Sequence, residues 1–104
     1  MTEIRYFAWR EVRPAIAFAL AGGIAVHRNL DYSNRLIGGR RRPGPFLHVL
    51  GLHDPLLAWA AERGHGAEWL QPARHGRPPH YDVFGEHAAT ILRELGVEAV
   101  RPSR

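Results

Sequence analysis

Residues 77–83 read Arg-Pro-Pro-His-Tyr-Asp-Val, and three consecutive side chains in this stretch can do chemistry. Two prolines deliver the chain into a short β-like run that opens on His80, Tyr81 and Asp82. Side chains alternate along a strand, so His80 and Asp82 share one face, with Cα atoms about 7 Å apart, while Tyr81 and Val83 share the other. An imidazole beside a carboxylate is a unit of acid–base chemistry near neutral pH. His48 sits in a second strand-like run, residues 46–50, on the face of Phe46 and Leu50, and Gln71 follows Trp69 at the alternating spacing. Neighbouring strands would bring His48, Gln71, His80 and Asp82 together.

Two kinds of catalysis fit these residue types. Two imidazoles and one carboxylate on a common face are a donor set for a non-haem metal. Without a metal, His48, His80 and Asp82 make a proton-transfer group. These three are therefore both the catalytic and the metal-ligating candidates, with Gln71 and Tyr81 as ligand-binding candidates. There is no cysteine, and Ser33 and Ser103 fall in a loop and at the tail, so no nucleophile stands beside the histidines. A purely structural role competes with these. Asp82 lies just ahead of a helix start at Gly85 and can accept from its first amides, and His80 can tie down the proline loop. His65, His75 and His87 read as solvated.

The elements that would position these groups are short. Residues 3–9 read as a strand. A helix follows from about residue 12 to Gly22, with Val12, Ile16, Ala19 and Leu20 on one face. Its apolar run, residues 14–26, is too short to span a bilayer, and Glu3 and Glu11 ahead of it argue against a secretory leader. Residues 24–27 and 46–50 read as strands. Asp54 is expected to cap the next helix ahead of Pro55, at a cost of about 1 kcal/mol if its carboxylate is removed. Residues 67–71 read as a strand, 80–83 as another, and 85–95 as a helix whose stripe is Ala88, Ile91, Leu92 and Leu95. Residues 97–100 close the pattern as a last strand. Trp9, Trp59 and Trp69 are expected in the core. The order β-α-β, loop, β-α-β predicts an α/β domain, or α+β. It would have a small mixed sheet of four to six short strands, two to three helices, and β-α-β units at 46–71 and 80–100.

The basic charge lies in the first half. Residues 1–45 hold eight arginines against Glu3, Glu11 and Asp31, and the second half is close to neutral. All the Lys/Arg positions are arginine, a bias that GC-rich codons suffice to produce. Gly38–Pro45 reads GGRRRPGP, and Arg40, Arg41 and Arg42 there are candidates for binding phosphate, with Tyr32 available for stacking. The loop lacks the Lys-Ser/Thr ending of a nucleotide-cradling loop. The absence of cysteine fits a reducing, cytoplasmic compartment.

The segment His48…LLAWAAERG…WLQ…HYDV…LGVEAV resembles the small bacterial and phage proteins of the domain of unknown function 4031 family. The likeness covers roughly residues 46–101, with His80–Val83 as its tetrad and Leu56–Gly64 as its helix. The family's helix histidine falls on Leu57, the acidic residues after its first strand are not evident after Val26, and the loop 72–79 is longer than usual. The resemblance implies a family-like core at 46–101 within a single domain 1–104, with 1–23 as an extension, and no established activity. It draws attention to His48, His80, Tyr81 and Asp82. The expected function is a binding module for an anionic ligand or nucleic acid. The rivals are a His/Asp-dependent enzyme, metal-assisted or not, and a structural or partner-docking domain.

Overall fold

The computed structural model describes residues 2–29 and 45–97, and the backbone of 36–37 and 40–41. Four strands form one mixed sheet in the order β1 (Ile4–Phe7), β2 (Ile24–Arg28), β5 (Phe46–Leu50), β6 (His80–Phe84). β1 runs parallel to β2, and β2, β5 and β6 are successively antiparallel. Leu36–Ile37 (β3) and Arg40–Arg41 (β4) pair as a separate two-residue hairpin. Three helices complete this small α/β fold: α1 (Val12–Leu20), α2 (His53–Glu62) and α3 (Gly85–Glu94). None of the described helices is long and apolar enough to cross a membrane.

Period-two alternation sorts the two sheet faces. Ile24, Val26, Leu47, Val49, Tyr81 and Val83 point to one side and are closed off by Leu56, Trp59 and Ala60 of α2 and Ala88, Ile91 and Leu92 of α3. The α3 stripe is the one its spacing predicts. Arg63 just past α2 and Glu94 of α3 add a 3.1 Å ion pair between the helices. Gly85 turns the chain from β6 straight into α3 with φ +66°, a backbone that other residues adopt only under strain.

Among the described residues, α1 is the one element that covers the other face, and only in part. Ala15 and Ala19, one turn apart, lie flat against Phe7, Ala25 and Leu50. Small side chains let the helix come close. The buried face therefore differs from the larger apolar stripe the spacing suggests: Val12 and Leu20 are exposed, and Ile16 is half-buried. β1, α1 and β2 form the parallel β-α-β unit, so residues 4–20 build the sheet rather than extend it.

Residues 67–71 are not a strand. Ala67–Trp69 is a single 3-10 turn, and only Gln71 reaches the sheet, through a lone antiparallel bridge to His80. Leu70 is the side chain that tucks against the core, which leaves Trp69 exposed. α2 thus connects two antiparallel neighbours, and the stretch 46–71 is not a parallel crossover. Of the last expected strand, Val97 is not extended into a strand, and 98–100 lie outside the described residues. Trp59 is buried as expected, whereas Trp9 joins Trp69 on the surface. Asp54 does not cap α2. Leu52 holds the N-cap position with no side-chain bond, and the Asp54 carboxylate accepts from or pairs with His53 Nδ1 at 2.7 Å. The capping loss of about 1 kcal/mol is accordingly not expected for Asp54→Ala.

The two faces predict different tolerance to truncation. Leu92→Ala, which opens a void between α3 and the sheet, should cost about 2–5 kcal/mol, while Leu20→Ala on exposed α1 should cost under about 0.5 kcal/mol. Paired denaturant melts of the two variants check this.

Candidate functional site

The half of the α1 face that no described element covers carries the polar residues. Register sets them in a row: Phe7 opposite His27, His27 opposite His48, and His48 opposite Asp82. His80 lies one pleat along β6, opposite Leu50. Tyr81 and Val83, between them in sequence, go under α2 and α3. His-Tyr-Asp can therefore open a strand because only its tyrosine enters the core.

Asp82 is the centre of the cluster. Its Oδ1 lies 3.3 Å from His48 Nε2 and 3.4 Å from His80 Nε2. These are ion-pair distances without hydrogen-bond alignment, and Oδ1 is shielded from solvent. Oδ2 accepts a 2.7 Å hydrogen bond from Gln71 Nε2. The four residues singled out from sequence do converge. Burial on its own pushes the Asp82 carboxyl up. The His80 contact, the charge of His48 and His80, and the Gln71 amide outweigh it and hold the carboxyl below its ordinary value of 3.8.

The histidines themselves line a cleft of about 590 Å³ on the open side. Its floor is His27, His48, Leu50 and His80; its apolar wall includes Val12, Ala15 and Ile16 of α1; Trp9, Arg10 and Arg77 stand at its rim. Asp82 does not line this cleft. It opens instead, with Gln71, on a second cleft beside Tyr81. His27 Nε2 lies 3.0 Å from the Trp9 carbonyl, which can only accept, so the proton of a neutral His27 is on Nε2. The His27 and His48 rings stack at 6.2 Å, and Phe46 meets His48 edge-on at 5.1 Å. Arg10 lies over the exposed Trp9 ring at 4.8 Å.

His27, Arg10, Trp9 and Arg77 were not singled out from the sequence. Arg77 stands next to the proline pair, so its place at the cleft was within reach. His27 becomes a partner of His48 only once the β2–β5 register is known. Tyr81, expected as a ligand contact, faces away from the histidine cleft. It lines a second cleft of about 470 Å³ with His65, His87 and Trp69, and its hydroxyl is buried without a hydrogen-bond partner among the described residues. His65 is not simply solvated: its ring lies between Trp59, Tyr81 and His87. Burial first, then the charges of His87 and Arg63, lower its pKa from 6.5. Arg40 and Arg41 are placed only as backbone, and Arg42 lies outside the described residues. Among the described residues, no group of three or more His, Asp or Glu is placed to hold a metal ion, so the donor set expected from His48, His80 and Asp82 is not assembled for one.

No family model matches the chain, and no curated protein or solved structure matches it.

Two titrations should appear in stability against pH. Folded His65 and folded Asp82 both bind a proton more weakly than in the unfolded chain. Each contribution is therefore complete above the unfolded value, 6.5 and 3.8 respectively, and is lost as pH falls through the lower folded value. Thermal melts from pH 8 to 3 should show stability falling in two stages, with Asp82→Asn lacking the lower one. Stability that rises on acidification below pH 6 would contradict this.

Proposed function

We propose that the protein binds a small anionic ligand in the cleft over His27, His48 and His80. One observation carries this reading: the described residues lining the cleft include three imidazoles, two guanidiniums and Asn29, and no carboxylate. Such a lining offers donors and positive charge to an anion. The volume falls in the range of small-molecule sites. The apolar wall and the exposed Trp9 suit a ligand with a flat or aliphatic part beside its charged group. A single phosphate- or carboxylate-bearing molecule fits these dimensions better than a nucleic-acid strand, whose expected contacts are the arginines 40–42. Assignment of residues 46–101 to the domain of unknown function 4031 family, and a cytoplasmic location, belong to the same proposal. The tetrad that carries the likeness is the strand that holds the site's carboxylate.

Calorimetric titration with inorganic pyrophosphate and with succinate tests the reading. At least one should bind, more weakly as salt is raised. Arg77→Ala should weaken binding by about tenfold, the worth of one charged hydrogen bond. No binding at millimolar ligand, or binding that Arg77→Ala leaves unchanged, would overturn it. Tight binding of single-stranded RNA with neither small anion bound would move the site to the arginine loop.

A further inference from the structure

We infer that the outer edge of β1 docks a second copy of this chain. The two β1 strands pair antiparallel across a two-fold axis at Ile4, so that each Glu3 meets Arg5 of the partner subunit. This surface is the edge of the sheet, and it stands apart from the anion cleft on the open face.

β1 ends the sheet on one side. Its parallel pairing with β2 fixes which backbone groups turn inward. The Ile24 N–H donates to the Glu3 carbonyl at 2.8 Å. Alternate residues of a strand direct their N–H and C=O groups to the same side, so Glu3, Arg5 and Phe7 face β2. The N–H and C=O groups of Thr2, Ile4 and Tyr6 therefore point away from the sheet, and no described strand pairs with them. Residues 2–8 contain no proline that would block such an edge. The opposite edge of the sheet is different. β6 is bridged by Gln71 at His80 and turns into α3 at Gly85, which leaves little open run.

Charge selects the partner and the register. Two copies of this edge present the same even-numbered residues, so an antiparallel pair must align even positions with even positions. Centring the pair on Glu3 sets two carboxylates opposite each other, and centring it on Arg5 sets two guanidiniums opposite each other. Like charges directly opposite destabilise a strand pair. Centring on Tyr6 pairs neither charge. Centring on Ile4 places each Glu3 opposite Arg5 of the partner subunit, and symmetry makes the contact twice. Thr2 then exchanges backbone bonds with Tyr6 of the partner subunit, and Ile4 with Ile4 of the partner subunit.

The side chains are already in place for this. Glu3 and Arg5 are exposed, share one face, and pair with each other at 2.7 Å within the chain. The Arg5 guanidinium lies 4.6 Å from the centre of the Phe18 ring, which holds it along α1. On the other face, Ile4 and Tyr6 are only half-buried against the main core. Pairing at Ile4 sets these apolar side chains beside their counterparts across the axis and covers them further. The contact is self-complementary, so it closes at two copies and joins the two four-stranded sheets into one.

Sedimentation equilibrium of the full chain over about 5–200 μM tests the inference. The expected result is a monomer–dimer equilibrium that weakens as salt is raised. Arg5→Glu, which sets carboxylates opposite one another, should weaken dimerisation by about tenfold or more. The charge swap Glu3→Arg with Arg5→Glu should recover it, which a merely structural role of either residue would not do. Cross-linking reads the register, because the chain has no cysteine of its own. Ile4→Cys should oxidise to a covalent dimer, since directly opposed residues in a bonded pair have Cα atoms about 5.5 Å apart. Arg5→Cys, whose two copies are displaced along the strands, should cross-link far less. Melting curves establish that each variant is folded, and if Arg5→Glu is not, the two cysteine variants decide. A monomer at every concentration, a dimer of undiminished strength in folded Arg5→Glu, a folded charge swap that stays monomeric, or cross-linking no faster at Ile4→Cys than at Arg5→Cys would overturn the inference.

Discussion

A carboxylate whose one oxygen is shut away from water has to be met by positive or donor groups, and the polar half of this sheet is organised around meeting Asp82. Removing such a group's hydration costs several kcal/mol unless partners replace it. His48 comes from directly across the β5–β6 ladder, His80 from one pleat along the same strand, and Gln71 from the chain that bridges the strand's start. Each of the three is a backbone neighbour by register, so the cluster needs no long side chain to reach. The two imidazoles meet Oδ1 at ion-pair distance and without hydrogen-bond alignment.

The rest of the fold makes room for that cluster. α2 and α3 close one face with large side chains, so the other face need not supply the whole core. α1 approaches its share of that face through Ala15 and Ala19 against Ala25, and its small residues bring it down on β1, β2 and Leu50 of β5, while no other described element covers the rest of that face. The cleft is the step between the covered and uncovered halves. Its apolar wall is the edge of α1, and its floor is the part of the sheet that no described element covers. Binding surface arises here from a helix that is too short and too close to cover four strands.

Much of this was legible in the sequence. Strand alternation placed His80 and Asp82 together and sent Tyr81 the other way, because period two is dictated by the backbone itself. The α3 stripe was legible for the same reason at period 3.6. Residues 67–71 misled because Trp69 and Gln71 sit at strand spacing, yet the side chain packed against the core is Leu70, next to Trp69. Val12 and Leu20 misled because a helical face was chosen by hydrophobicity, where closeness to the sheet favoured alanine. Asp54-Pro55 has the signature of a cap, but the helix begins two residues ahead of Pro55, at His53. His27 needed a long-range register, β2 against β5 across some twenty residues of chain, which no local pattern encodes.

The central claim is that anions collect over the three histidines that share the open face. Long-range proton–nitrogen spectra of all seven imidazoles, followed during titration with succinate, test it most directly. The account predicts that the signals of His27, His48 and His80 move together and saturate, while His53, His65, His75 and His87 stay in place. Movement confined to His65 and His87 would put the site in the cleft beside Tyr81 and contradict the account, as would a titration in which no imidazole responds.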